Sequence, residues 1–150
     1  MKKLLLPVIL ATFTSAAFVN VAHASGPTPE AKALIKAEMQ KAQHITPAEL
    51  DKELKAGKEV VILDIRQKSE RPIMGAITES DVHVPRGYLE IQTYSKIADR
   101  DAEIVVFCGK GIRSAFAANT LNEMGYTNVK NLQGGVKAWK EAGLSTVEVK

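Results

Sequence analysis

The chain of 150 residues holds a single cysteine, Cys108. It stands in Cys108-Gly109-Lys110-Gly111-Ile112-Arg113-Ser114, directly after the apolar run Ile104–Phe107. A thiol attacks as its thiolate, and positive surroundings favour that form. Gly109 and Gly111 let the backbone curl until several N–H groups face one point, as in an anion-binding nest. Arg113 adds a guanidinium able to grip an oxyanion with two parallel bonds, and Lys110 adds a second cation. A helical pattern starts at Ile112, so unpaired N–H groups and the positive end of a helix dipole converge on the same spot. The Ser114 hydroxyl can bond the sulfur or cap the helix. Ile112 is expected to turn into the core. A lone cysteine is ordinarily a small buried hydrophobe. The Gly-rich, basic turn beside this one points instead to a nucleophile for small anions.

Such a loop needs a strand to launch it and a helix to receive it. Ile104–Phe107 reads as the strand. Ile112, Phe116, Leu121 and Met124 fall near one face of the helix, which Gly125 ends. The run Val60–Ile65 is continuous and rich in β-branched residues, as suits a strand covered on both sides in a parallel sheet. Val82–Val84, stopped by Pro85, and Val129–Leu132 read as shorter strands, and Gly134-Gly135 opens a short helix holding Ala138 and Trp139. Upstream, Thr46-Pro47-Ala48-Glu49 is a capping box for a helix carrying Leu50 and Leu54. Thr28-Pro29 caps an amphipathic helix through Ala31, Leu34, Ile35, Met39 and Ala42, expected to pack on the domain. Strands alternating with helices predict an α/β layered domain with a mainly parallel sheet flanked by helices, plus this extra N-terminal helix.

The 45% hydrophobic and 25% charged composition is that of one ordinary globular domain. Lys2 and Lys3, the apolar stretch toward Val21 and the small-x-small Ala22-His23-Ala24 read as an export signal cleaved after Ala24. The organisation expected is a leader at residues 1–24, a helical extension at 25–45 and a domain at 46–150. The net charge of +3 owes two lysines to the leader, so the mature chain carries 18 basic against 17 acidic side chains. That balance gives no electrostatic reason to seek nucleic acid or, once the leader is gone, a membrane. A periplasmic or otherwise exported location makes an unpaired cysteine anomalous and strengthens the case for reactivity. One cysteine with scattered His44 and His83 has no metal-ligand spacing, so neither a metal nor a cofactor is expected.

The segment Cys108–Ser114 resembles the Cys-x-x-Gly-x-Arg-Ser loop of the rhodanese-like domain family. Leu63-Asp64-Ile65-Arg66 with Glu70, Val84-Pro85-Arg86-Gly87, and Gly134–Trp139 with Ala142-Gly143-Leu144 are similar to further segments of that family, in matching order across Thr46–Leu144. Arg71–Ala76 departs from it, lacking a Gly and a His usual there, and Thr78–Asp81 look like additional residues. The resemblance implies a thiosulfate sulfurtransferase. Cys108 takes sulfane sulfur from a small anionic donor as a persulfide, and cyanide or a thiol, including a protein thiol, removes it. Gly109, Lys110, Gly111, Ile112, Arg113 and Ser114 would bind donor and persulfide. Asp64, Arg66 and Glu70 are read as a structural ion-pair network, and Arg86 as rim charge or a side chain lying along the surface. The rivals are a persulfide carrier or non-catalytic binding module serving a protein partner and, more remotely, a cysteine phosphatase or arsenate reductase. The phosphatase cradle is Cys-x5-Arg, whereas four residues separate Cys108 from Arg113.

Overall fold

The computed structural model describes residues 26–149. The leader read at residues 1–24 lies outside them. Helix α1 (Pro29–Lys41) is capped by Thr28, whose hydroxyl accepts the Ala31 N–H at 3.3 Å. A two-residue strand β1 (His44–Ile45) leads to α2 (Pro47–Lys55), whose capping box forms as the sequence requires: Thr46 and Glu49 each satisfy the other's backbone N–H. Then come β2 (Val61–Asp64), a 3-10 turn over Lys68–Glu70, the single helical turn α3 (Arg71–Met74) and β3 (Val82–His83). A 3-10 turn at Arg86–Tyr88, α4 (Leu89–Lys96), β4 (Ile104–Phe107), α5 (Ile112–Glu123), β5 (Val129–Leu132) and α6 (Gly135–Glu141) complete the order.

The five strands form one sheet in the order β1-β5-β4-β2-β3, with every neighbouring pair parallel. This is the architecture expected of apolar strands separated by helices. Residue alternation divides the core into two layers. Leu63, Ile104, Val106 and Cys108 share a cluster with Ala117, Ala118 and Leu121 of α5 and Leu89 of α4. Ile62, Val105, Phe107 and Leu132 share the other with Leu50 of α2 and Val136 and Trp139 of α6. The central strand β4 is buried along its whole length, and its alternation carries Cys108 onto the α5 side.

One expectation needs correction. Ile112 does not enter the core; it is 41% exposed. The buried face of α5 is made of Ser114, Ala115, Ala117, Ala118, Asn119 and Leu121, small residues that let the helix lie close on the sheet. The larger Ile112 and Phe116 are left on the flank, where α1 packs against α5. α1 is held there by Asn119, whose amide donates to the Glu38 carbonyl at 3.0 Å and carboxylate at 2.6 Å. Strand β1 and helix α4 were not foreseen. β1 is too short for any periodicity, and α4 buries only Leu89 and Thr93.

Candidate active site

β4 delivers Cys108 at its carboxyl end, where an open α/β sheet places its ligands. The chain then turns through Gly109 and Lys110 to Gly111, whose φ of 84° is the left-handed conformation that glycine alone adopts without strain. The underside of this loop rests on the start of α6. Val136 N–H donates to the Cys108 carbonyl at 2.9 Å and Lys137 N–H to the Gly109 carbonyl at 3.1 Å. Gly135 makes that approach possible, since a Cβ there would collide with the Cys108 carbonyl oxygen. The Gly134-Gly135 pair is therefore a buttress for the cysteine loop, a role invisible in its sequence because the partners lie about 25 residues away.

With those two carbonyls held below, the Gly111 N–H donates to Cys108 Sγ at 3.2 Å, and the Ser114 hydroxyl lies 3.5 Å from the same sulfur. Cys108 is 1% exposed, yet it lines a cavity of about 470 Å³ that opens to solvent. Gly109, Lys110, Ile112 and Arg113 form one side of that cavity. Of the loop residues singled out in the sequence, Gly111 and Ser114 thus meet the sulfur directly, while the others surround the opening.

Arg113 is committed to a carboxylate. Its two terminal nitrogens donate to the two oxygens of Glu70 at 2.9 and 2.6 Å, a fork-to-fork pair across the cavity wall. These bonds raise Arg113 above its ordinary value against the opposing effect of burial, with a smaller contribution from the Cys108 sulfur. They also bring Glu70 down from 4.5 to about 2; burial opposes this, and the Gln67 N–H assists it. Glu70 therefore lines the cavity, and its ion pair is made with Arg113 and not with Arg66. Met74 and Lys137 line the cavity too, again without a sequence signal, because α3 and α6 reach the mouth only through the fold. Three cations, Lys110, Arg113 and Lys137, face one carboxylate around the sulfur.

Asp64 and Arg66 form the network expected of them. Both are buried, and Arg66 donates to the two Asp64 oxygens at 2.9 and 2.7 Å and to the Gly75 carbonyl at 2.6 Å. Arg71 adds a third side-chain bond to Asp64 at 2.9 Å. This cluster pins both ends of the segment that presents Glu70 and Met74. The additional residues before β3 close on themselves: the Asp81 carboxylate accepts the Ile77 and Thr78 N–H groups. Ala76 pairs with Val147 through two 2.9 Å backbone bonds, fastening the C-terminal segment to that loop. His83 bonds the Arg66 carbonyl and His44 the Met39 carbonyl, both structural contacts.

A model of the Rhodanese-like domain matches residues 46–142. The chain belongs to that family. The domain is 33% identical over 91 residues to a thiosulfate sulfurtransferase of Coxiella burnetii, covering 59% of this chain and 78% of that one. Among solved structures, the polysulfide-sulfur transferase homodimer of Wolinella succinogenes is similar at 30% identity and a TM-score of 0.68, over 79% of this chain and 88% of that one. A protein of unknown function from Rhodopseudomonas palustris, described as a possible tyrosine phosphatase, is similar at 32% identity and a TM-score of 0.69, over 77% and 92%. Sulfurtransferases thus recur among the relatives of this rhodanese-like domain.

The Glu70–Arg113 pair gives a pH-dependent expectation. A carboxyl whose folded value lies below its unfolded one stabilises the fold above the unfolded value, and that contribution is lost as pH falls through the folded value. The difference in urea midpoint between wild type and Glu70→Gln should therefore hold constant above pH 4.5 and shrink between pH 4.5 and about 2. Because the pair is partly exposed, the difference should be small. A midpoint difference that grows toward acid would contradict the assignment.

Proposed function

We propose that this rhodanese-like domain is a thiosulfate sulfurtransferase working through a Cys108 persulfide. The Cys108 thiolate attacks the outer sulfur of thiosulfate, the sulfur–sulfur bond breaks, and sulfite leaves with the electron pair. Cyanide or a thiol then attacks the sulfur held on Cys108 and returns the pair to the thiolate. The observation that carries this reading is the sulfur itself, set at the floor of an open cavity with the Gly111 N–H aimed at it. That amide is already oriented toward the sulfur that carries the charge of the attacking and leaving thiolate, so it needs no reorganisation to stabilise that charge. Lys110 and Lys137 at the mouth suit a dianionic donor. The name of the Coxiella burnetii relative supports thiosulfate as that donor.

The reading includes export, with residues 1–24 as a leader removed after Ala24 and residues 25–45 as an extension to the domain. Incubation with thiosulfate should add the mass of one sulfur atom to the intact protein, cyanide should remove it as thiocyanate, and the same spectrum should give a chain beginning at Ser25. The phosphatase description of the Rhodopseudomonas palustris neighbour supplies the rival. Hydrolysis of an aryl phosphate without sulfur loading would establish that rival in its place. The four-residue spacing from Cys108 to Arg113, and the engagement of that arginine by Glu70, favour a single sulfur atom over a tetrahedral phosphate.

A further inference from the structure

Beside the Cys108 cavity lies a second hollow of about 340 Å³, bounded by Ile35, Arg86, Ile112, Arg113 and Phe116. Ile112 and Arg113 border both spaces, so the hollow adjoins the cavity along the flank of α5. Its far wall comes from Ile35 on α1, outside the residues 46–142 that define the family match. The hollow is therefore a property of this chain's extension. It also explains why Ile112 and Phe116 stay out of the core. Its surface is apolar except for two guanidinium groups. Arg113 is held by Glu70. Arg86 donates to Glu90 at 2.7 Å and to the Thr120 hydroxyl at 3.3 Å, a long bond that an incoming anion can replace.

We propose that this hollow is the acceptor subsite, and that its occupant is the body of a small organic thiol: an alkyl chain against Ile35, Ile112 and Phe116, ending in a carboxylate at Arg86. The proposal rests on the sulfurtransferase reading and names its second substrate. Three observations select this chemistry: adjacency to the cavity over Cys108 across Ile112 and Arg113, an apolar lining that offers nothing to cyanide, and a cation at the distal edge. The transfer balances without any other reactant. The acceptor sulfur, its proton lost to water, attacks the outer sulfur on Cys108. The bond between that sulfur and Cys108 breaks, its electron pair returns to Cys108, and an organic persulfide departs.

The test uses the mature protein with thiosulfate as donor and five acceptors: cyanide, an eight-carbon alkyl thiol, and mercaptopropionate, mercaptohexanoate and mercaptooctanoate with the thiol at the end of the chain away from the carboxylate. With wild type, kcat/KM should rise along the thiol series by roughly two- to fourfold per methylene buried, through KM. Ile35→Asp should lower the ratio of mercaptooctanoate to cyanide kcat/KM by about tenfold or more. Leu34→Asp, on the neighbouring exposed position of α1, should leave that ratio at the wild-type value. Arg86→Gln should raise KM for mercaptooctanoate but not for the alkyl thiol of equal length that lacks the carboxylate. Sulfur loading of Cys108 with acceptor rates independent of chain length would overturn the subsite alone. Equal losses for cyanide and mercaptooctanoate in Ile35→Asp would do the same. Absence of sulfur loading and of cyanide turnover would overturn the sulfurtransferase reading together with it.

Discussion

Cys108→Ser is expected to lose sulfur transfer by roughly a thousandfold or more in kcat/KM while unfolding at nearly the wild-type urea midpoint. The two halves of that result come from different features of the site. The chemistry fails because a hydroxyl is a far poorer nucleophile toward a sulfur–sulfur bond and forms no persulfide, so neither half-reaction has a route. The fold persists because serine differs from cysteine by one atom and finds the same two donors, the Gly111 N–H and the Ser114 hydroxyl. The loop is held from below by bonds from α6 to the Cys108 and Gly109 carbonyls, which do not involve the side chain. Intact mass after thiosulfate treatment and thiocyanate release read the chemistry; urea unfolding reads the fold. Turnover near wild type in this variant would place the nucleophile elsewhere. Equal collapse of stability and activity would make Cys108 a packing residue.

Sequence reached the cysteine loop for a reason that is local. Strand, nucleophile, glycines and helix start are contiguous from Ile104 to Ser114, and each signals through its own residue type. The parallel sheet was legible for a related reason, since Val61, Ile62 and Leu63, like Ile104–Phe107, are apolar on both faces, as suits a doubly covered strand. What sequence did not reach is whatever depends on two distant segments meeting. Glu70 lies 43 residues before Arg113, and nothing in either segment announces a bidentate pair. Gly135 reads as a helix start until the Cys108 carbonyl is found against it. Ile112 departs from the amphipathic pattern, which assigns an apolar residue to the core, because α5 approaches the sheet through alanines and turns its larger residues toward α1. The flank those residues form is where the proposed acceptor hollow lies, so the same packing of α5 leaves Ile112 exposed and lines that hollow.

Asp64→Ala is expected to destabilise the fold by about 3–5 kcal/mol, a large part of the stability of a domain this size. Asp64 is completely buried and accepts four bonds: two from the Arg66 side chain, one from the Arg66 N–H and one from Arg71 Nε. Removing its carboxylate leaves the Arg66 guanidinium, itself 1% exposed, with the Gly75 carbonyl and the face of Phe107, 5.0 Å from the ring centre, as its remaining partners. Those contacts do not neutralise a buried charge. Asp64→Ala combined with Arg66→Met should recover part of the loss, because an apolar side chain of similar length leaves no stranded cation. The effect should also reach the active site. Arg66 ties the end of β2 to Gly75, and Glu70 and Met74 lie on the segment between. Loosening that tie releases the carboxylate that orients Arg113, so the stability loss should be accompanied by a fall in kcat/KM for thiosulfate even where the variant remains folded. Urea unfolding of both variants, beside sulfurtransferase assays at a temperature well below either transition, separates the two effects. A loss below about 1 kcal/mol for Asp64→Ala would mean that water or a rearranged Arg66 side chain replaces the carboxylate, and the cluster would then no longer account for the position of Glu70.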